Sequence, residues 1–421
     1  MRVSGKYAAW GTLFLVALLI VVRRPDFFLE PRFWAEEGKY YFADAWNFGF
    51  WRGVFLPHFG YYAVVPSVST SLATLLPLEY APLFTTCCAA VFQLLVSSLV
   101  IFGTGPYWDT WPKKMLIAVG IQLINAPEVW LTTICIQYWM CIATFFILLE
   151  PSDGSEPWRW FRRGMLVIAG LSSVLSLFLA PLFLLKGMRD RTKESRIHMV
   201  ILFAAGLLQS AIFIFALKGG DSHVASRFGQ NEFNLVKVLY LHLLEPFSGG
   251  QLYDWHPVVA LDEWDIARSG GGDAGVLRLS QMILLTAMTA CTLAIFIRDL
   301  RKPERMALPM TFLLVTVLST LLSLKMSSSP RYAFAPSAML LVLYINEGIS
   351  AVGRRWRICG AAVLLLTVVG MATEFRTRFI GGPGWPRWRE EVMLWRMGQT
   401  QSLLIWPQFR SASWDVELRH R

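Results

Sequence analysis

Long apolar stretches separated by short charged ones run through the chain from end to end. Runs near the length that crosses a hydrocarbon layer as a helix, about 17–25 residues, occupy 7–22, 81–103, 128–149, 197–217, 276–297, 307–324, 335–352 and 358–374. Two other stretches read differently. Residues 61–77 carry two prolines and several hydroxyl side chains, which suits an interfacial or re-entrant piece. Residues 164–185 hold a Leu171-Ser172-Ser173 step ahead of Pro181, the pattern of two short helices that turn back.

The polar breaks give direction. Lys113-Lys114, Arg159 to Arg163, Lys186 to Arg196, Arg298 to Arg305 and Arg354 to Arg357 are basic, and short basic loops stay cytoplasmic. All five share that side with the N-terminus under two conditions. Segment 61–77 must not cross, and 164–185 must enter and leave on the same side. The run 115–126 then goes out and 128–149 comes back. This predicts an all-α polytopic transmembrane bundle of about ten crossings plus re-entrant helices. Segments 23–80, 218–275 and 325–334 fall outside, as does the tail from 375. Residues 1–374 form one membrane domain and 375–421 an extracytoplasmic, Trp-rich tail. Trp388, Val392 and Trp395 at helical spacing predict an amphipathic helix there, lying on the membrane or on the second loop.

Composition agrees with a membrane class. Of 421 residues, 55% are hydrophobic and 16% charged, against roughly 25% charged in an average soluble chain. The 39 Lys+Arg exceed the 29 Asp+Glu by ten. With the basic residues in loops, that excess marks orientation and attraction to anionic inner-leaflet lipids, not nucleic acid. The six cysteines lie in apolar runs without a CxxC pair and read as small core hydrophobes. After Arg2, Lys6 and the first apolar run come Arg23, Arg24 and Pro25, with no small-x-small cleavage site. The first helix therefore reads as an uncleaved span.

Candidate chemistry gathers on the outer side. The first loop carries Arg32-Phe33-Trp34-Ala35-Glu36-Glu37-Gly38, followed by Tyr40, Tyr41, Asp44 and Trp46. Adjacent carboxylates raise each other's pKa, and partial burial adds to this, which suits a general base near neutral pH. Solvated acids on an interfacial helix are the other reading. His58 follows among aromatics, either as an interfacial hydrogen-bonding residue or as a ligand. Asn125-Ala126-Pro127-Glu128 tops the next hairpin, with Gln137 deeper in the helix and pointing inward. Glu128 either complements a helix dipole or faces the first-loop acids across a cavity. The second loop holds His256 among many charged residues and matches no zinc motif. Arg331-Tyr332 at the start of a late helix suits a lipid-linked phosphate; a snorkelling arginine is the alternative.

Taken in order, these motifs resemble the GT-C superfamily of polytopic glycosyltransferases, which use polyprenyl-phosphate sugars. The likeness is to a bacterial branch with a Trp-Ala-Glu-Asp-Gly-like first loop, a His-x-Gly-Tyr stretch, an Asn…Gln-Trp hairpin and a late Arg-Tyr. Here these are Trp34 to Gly38, His58 to Tyr61, Asn125 with Gln137, and Arg331-Tyr332. Two departures stand out. Glu36-Glu37 replaces a pair that often contains Asp, and Tyr138 separates Gln137 from Trp139. The resemblance implies inverting sugar transfer from a polyprenyl-phosphate donor to a glycan, lipid or protein acceptor, outside a bacterial inner membrane. Glu36 or Glu37 would be the catalytic base. Arg331, with His58 or His256, would stabilise the leaving phosphate. Glu128 would orient the acceptor or hold a divalent metal, and no other cofactor is implied. The rival readings are an O-antigen polymerase or ligase, and a lipid-linked-sugar flippase. The early acidic pair speaks against the first. The lack of a paired internal repeat speaks against the second.

Overall fold

Helix α1 (Val3–Arg23) shows how the apolar runs fold. Ala9, Thr12, Val16, Ile20 and Arg23 recur on one buried face, while Tyr7, Trp10, Phe14 and Leu18 are exposed on the other. Both faces are largely apolar, as a helix between a protein core and lipid requires. The computed structural model describes residues 3–220, 242–243, 247, 273–302, 305–323, 331–350, 353–373, 375, 387–408 and 413–420.

The first loop is a string of short helices: α2 (Asp26–Leu29), a π-helical turn (Glu37–Phe42), α3 (Ala43–Phe48), α4 (Phe50–Phe55) and α5 (Val64–Ala73). The bundle continues with α6 (Ala81–Phe102), α7 (Trp111–Gly120), α8 (Ile136–Leu149), α9 (Glu156–Ser172), α10 (Val174–Leu177), α11 (Ala180–Asp190) and α12 (Lys193–Lys218). After the second loop come α13 (Asp273–Leu300), α14 (Ala307–Ser323), α15 (Arg331–Ser350) and α16 (Arg354–Thr373). Among the described residues four helices are long and apolar enough to cross a membrane, Lys6–Arg23 within α1, α6, α12, and Arg331–Ile349 within α15, or five if the bent pair α9 with α10–α11 is one span, fewer than the ten crossings expected. Such helices are compatible with a membrane protein. Helix α15 is the central one, with 83% of its apolar window buried, against 17% for the peripheral α12.

The ambiguous stretches resolve. Segment 61–77 forms α5, ten residues long and mostly buried, well short of a span. Segment 164–185 folds as two legs bent by 115° after Ser172. Its ends return to one place, because Arg162 donates to the Pro151 carbonyl and Lys186 donates to that of Leu148 at 2.7 Å.

That place gathers all five basic loops. Lys113 donates to Asn346 at 2.9 Å, and Thr104 donates to Glu150. Tyr107 donates to the Arg305 carbonyl at 3.0 Å. Arg298 forks onto Glu347 with two bonds of 2.7 Å, and its guanidinium lies 4.9 Å from the Trp356 ring. Buried acids here each face a cation, which is how charge survives burial.

Two expectations need correction. The run 128–149 becomes helical only at Ile136, because the backbone ahead of it is held by side chains from elsewhere, as described below. The fold is mostly helical and not all-α, because the tail also carries strands. Helix α17 (Trp388–Arg396) does bury Trp388, Val392 and Trp395, but it packs on Phe33 and Leu78 of the first loop. It then leads into an antiparallel hairpin of β1 (Ser402–Gln408) and β2 (Ser413–Glu417). Alternating Leu403, Ile405 and Val416 bury one face of that hairpin, so a strand period wins locally.

Helices α15 and α16 cross backbone to backbone. A Cβ on Gly360 would lie 2.4 Å from the Gly348 nitrogen and 2.8 Å from the Glu347 carbonyl carbon. Gly360→Ala should therefore cost about 1–3 kcal/mol, read as a lower unfolding temperature in detergent. Gly164→Ala, at an open position of α9, serves as the control. Equal behaviour of the two variants would show that the helices part freely there.

Candidate functional site

The site starts from an unwound stretch. Between α7 and α8, residues 121–135 form turns and a short 3-10 segment (Pro127–Val129), with Leu131 at φ +52°. Irregular backbone buried inside a helical bundle must find internal partners. Arg23 supplies some: it donates to the carbonyls of Gln122 and Ile124 and lies 4.3 Å from the Trp130 ring. Trp139 donates its indole N–H to the Val129 carbonyl at 3.2 Å.

Glu37 supplies the rest. Its Oε1 accepts from the Thr133 amide at 3.1 Å and from the Thr133 hydroxyl. Its Oε2 accepts from the Trp34 amide at 3.1 Å. Only 2% of Glu37 is exposed. Burial pushes its carboxyl above the ordinary range, opposed by the bonds from Thr133 and Trp34. One carboxylate thus joins the first loop to the unwound stretch. Ala35 takes φ +36° in the same turn, a strained value for a residue with a Cβ.

Glu36, one residue before, has a different setting. It is half-buried and falls within electrostatic reach of Cys135, as do Glu128 and Arg331. Arg331 Nη1 lies 3.3 Å from a Glu128 carboxylate oxygen. The Arg331 guanidinium sits 5.3 Å from the Tyr332 ring, and Tyr332 meets Tyr138 edge-on at 6.0 Å. Tyr61 lies in electrostatic reach of Tyr138 as well. Glu128, Arg331 and Tyr332 therefore meet at one place, and Glu36 shares the surroundings of Cys135 with the first two. Within α15, Pro336 has no N–H to give the Tyr332 carbonyl.

Beside Tyr61 runs an apolar groove of about 780 Å³. Val174, Phe178, Leu202, Leu207 and Phe213 are among its walls, drawn from α10, the α10–α11 turn and α12. Buried pockets lined this way suit elongated apolar ligands.

The remaining sequence candidates have other partners. His58 packs on Tyr41 with ring centres 4.4 Å apart, and its Nε2 lies 3.7 Å from Asp44. Burial pushes the imidazole down to about 4 despite that carboxylate. Burial also pushes the Asp44 carboxyl up, against the pull of Arg52. Gln137 is half-buried at the first turn of α8, and its carbonyl accepts from Ser173 at 2.7 Å. His256 lies outside the described residues, as does most of the second loop. Among the described residues, no three His, Cys, Asp or Glu side chains are grouped to hold a metal ion. Sequence reasoning missed Thr133 and Cys135 as neighbours of this site. The Thr132-Thr133 pair inside an apolar run was the signal available for one of them.

Compared with known protein families and with curated proteins, the chain matches none.

The His58 geometry has a pH consequence. A histidine whose folded pKa is depressed stabilises the fold above its unfolded value of 6.5, and that contribution is lost as pH falls toward about 4. Its full size is about 3 kcal/mol. Asp44, shifted upward, works in the opposite sense and reduces the net loss. Unfolding temperature should fall between pH 7 and 4 in the parent chain and fall less in His58→Gln. Parallel curves would remove His58 as a source of acid sensitivity.

Proposed function

We propose that the chain is an inverting membrane glycosyltransferase of GT-C type. In this reading it takes a sugar from a polyprenyl-phosphate donor and passes it to an acceptor hydroxyl at the extracytoplasmic face. The observation that carries the reading is the Glu128–Arg331–Tyr332 group, which shares the surroundings of Cys135 with Glu36 and lies near the apolar groove at Tyr61. These residues come from three distant parts of the chain, and each serves a different part of one reaction. The convergence of the five basic loops at one end of the bundle supports a cytoplasmic N-terminus with those loops on the same side.

The two acids divide the work. Glu37 holds the loop, its oxygens occupied by Thr133 and Trp34. Glu36 is half-buried and is the base. It accepts the proton of the acceptor hydroxyl while that oxygen bonds to the anomeric carbon. The bond from that carbon to the phosphate oxygen breaks, and the electron pair leaves with the lipid phosphate. Arg331 stabilises the departing charge, which in a water-poor site is worth far more than at a surface. Glu128 fixes the guanidinium at 3.3 Å and faces the acceptor side. His58, neutral because burial lowers its pKa to about 4, adds no positive charge and shapes the wall around Tyr61 instead. The polyprenyl chain lies in the groove.

Glu36→Gln should lower turnover by at least about a hundredfold without moving the unfolding temperature. The assay is release of polyprenyl phosphate from a panel of synthetic polyprenyl-phosphate hexoses and pentoses. Full turnover by this variant would sink the assignment, and passage of intact donor across proteoliposomes would assign transport. Arg331→Ala should raise the KM for donor more than that for acceptor. It should also reduce the thermal stabilisation given by polyprenyl phosphate alone. The reverse ranking would move Arg331 out of the donor site.

A further inference from the structure

The acid-bearing loop is not held by the membrane bundle alone. On its other side stands the C-terminal hairpin, whose residues follow Arg32 by more than three hundred positions. Arg32 donates through Nη1 to Glu391 and, at 2.7 Å, to the Leu404 carbonyl. Glu391 in turn accepts from the Leu404 amide at 2.6 Å. Both charged side chains are 5% exposed. The pair thus engages the N–H and the C=O of a single β1 residue, which fixes that strand in position and in register. Two residues on, the Trp406 amide donates to the Phe33 carbonyl at 2.9 Å, and Trp34 and Trp406 form an isolated parallel bridge. Ile405 fills the space beside Gly38, where a Cβ would meet its methyl at 2.9 Å. The strained Ala35 turn and both acids lie within this span of strand-like contact.

We propose that Arg32 and Glu391 are positioning residues for the Glu36 carboxylate, acting through β1 and the Trp34–Gly38 backbone. The inference rests on the reading of Glu36 as the base. The pair contacts neither of the proposed substrates. Its work is to seat β1 so that the Phe33–Trp406 bond and the Ile405 side chain press the turn into the conformation Ala35 would otherwise leave. Residues that over-determine a strained turn are what allow it to persist. A carboxylate displaced by an ångström loses much of its rate while substrate still binds.

Glu391→Gln tests this, because the amide keeps an acceptor for the Leu404 N–H and the shape of the side chain. Arg32→Lys, which keeps the charge but loses the fork, is the companion variant. Arg396→Ala is the control: it breaks the exposed pair with Glu79 on the other side of the same helix. Two readouts are taken on full-length protein in detergent. The first is kcat and donor KM with the polyprenyl-phosphate panel; the second is amide hydrogen exchange across residues 33–38. The expected result for both test variants is at least a tenfold loss of kcat, donor KM within threefold, and faster exchange confined to 33–38. Arg396→Ala should move neither. Unchanged exchange at 33–38 in both folded test variants, or kcat within twofold of the parent, would overturn the positioning role. A fully active Glu36→Gln would instead bring down the base assignment, and the exchange data would still decide whether the pair holds the turn.

Discussion

The Glu37 carboxylate is the contact on which the rest of this architecture hangs. A carboxylate without water is expensive, and it is tolerable only where donors surround it. Here the donors are the amide of Trp34 and the amide and hydroxyl of Thr133, so the acid joins two segments that would otherwise have unmet backbone groups. Arg23 does the complementary task on the carbonyl side, at Gln122 and Ile124. Between them, an anion and a cation allow fifteen residues, 121–135, to leave helical geometry inside a helical bundle. The opening so created admits Glu128 and Cys135 to the neighbourhood of Arg331.

Neighbouring residues of the same type can therefore have opposite fates. Glu36 and Glu37 are adjacent in sequence and chemically identical. The backbone turn at Ala35 sends one inward to bonds with Thr133 and Trp34, and leaves the other half-buried in the surroundings of Cys135. Structural support and reactive chemistry are drawn from one dipeptide. The strain at Ala35 is tolerated because both sides of the turn are held, by Thr133 on one side and by β1 on the other.

Much of this plan is legible in the sequence because it depends on short-range pattern. The apolar runs mark α1, α6, α12 and α15, and the Ser172-Ser173 step marks the 115° bend. The basic loops announce the end at which they gather, since each is a local cluster of like charge. What sequence hides is pairing across distance. The delayed start of α8 follows from Arg23 and Glu37, which lie about a hundred residues upstream. An apolar pattern has no means of registering such partners. The Arg32–Glu391 pair is more remote still, and Trp388, Val392 and Trp395 look the same whether they face lipid or Phe33. The β-hairpin is too short for its alternation to stand out from an aromatic tail. Glu36, Glu128 and Arg331 were recoverable as chemical types, but that Glu37 is the buried acid of the pair depends on the turn at Ala35.

The groove beside Tyr61 has a rim as well as a floor. Phe203, Leu207 and Ile214 line it from α12, and all three are also substantially exposed on the outer surface of that peripheral helix. An opening so placed faces sideways, toward whatever surrounds the bundle, and not along its axis. In a bilayer, a ligand entering by that route never leaves the plane of the lipids. Its supply is then set by mole fraction among lipids, and diluting the membrane with inert lipid starves the site even when the bulk amount of ligand is unchanged.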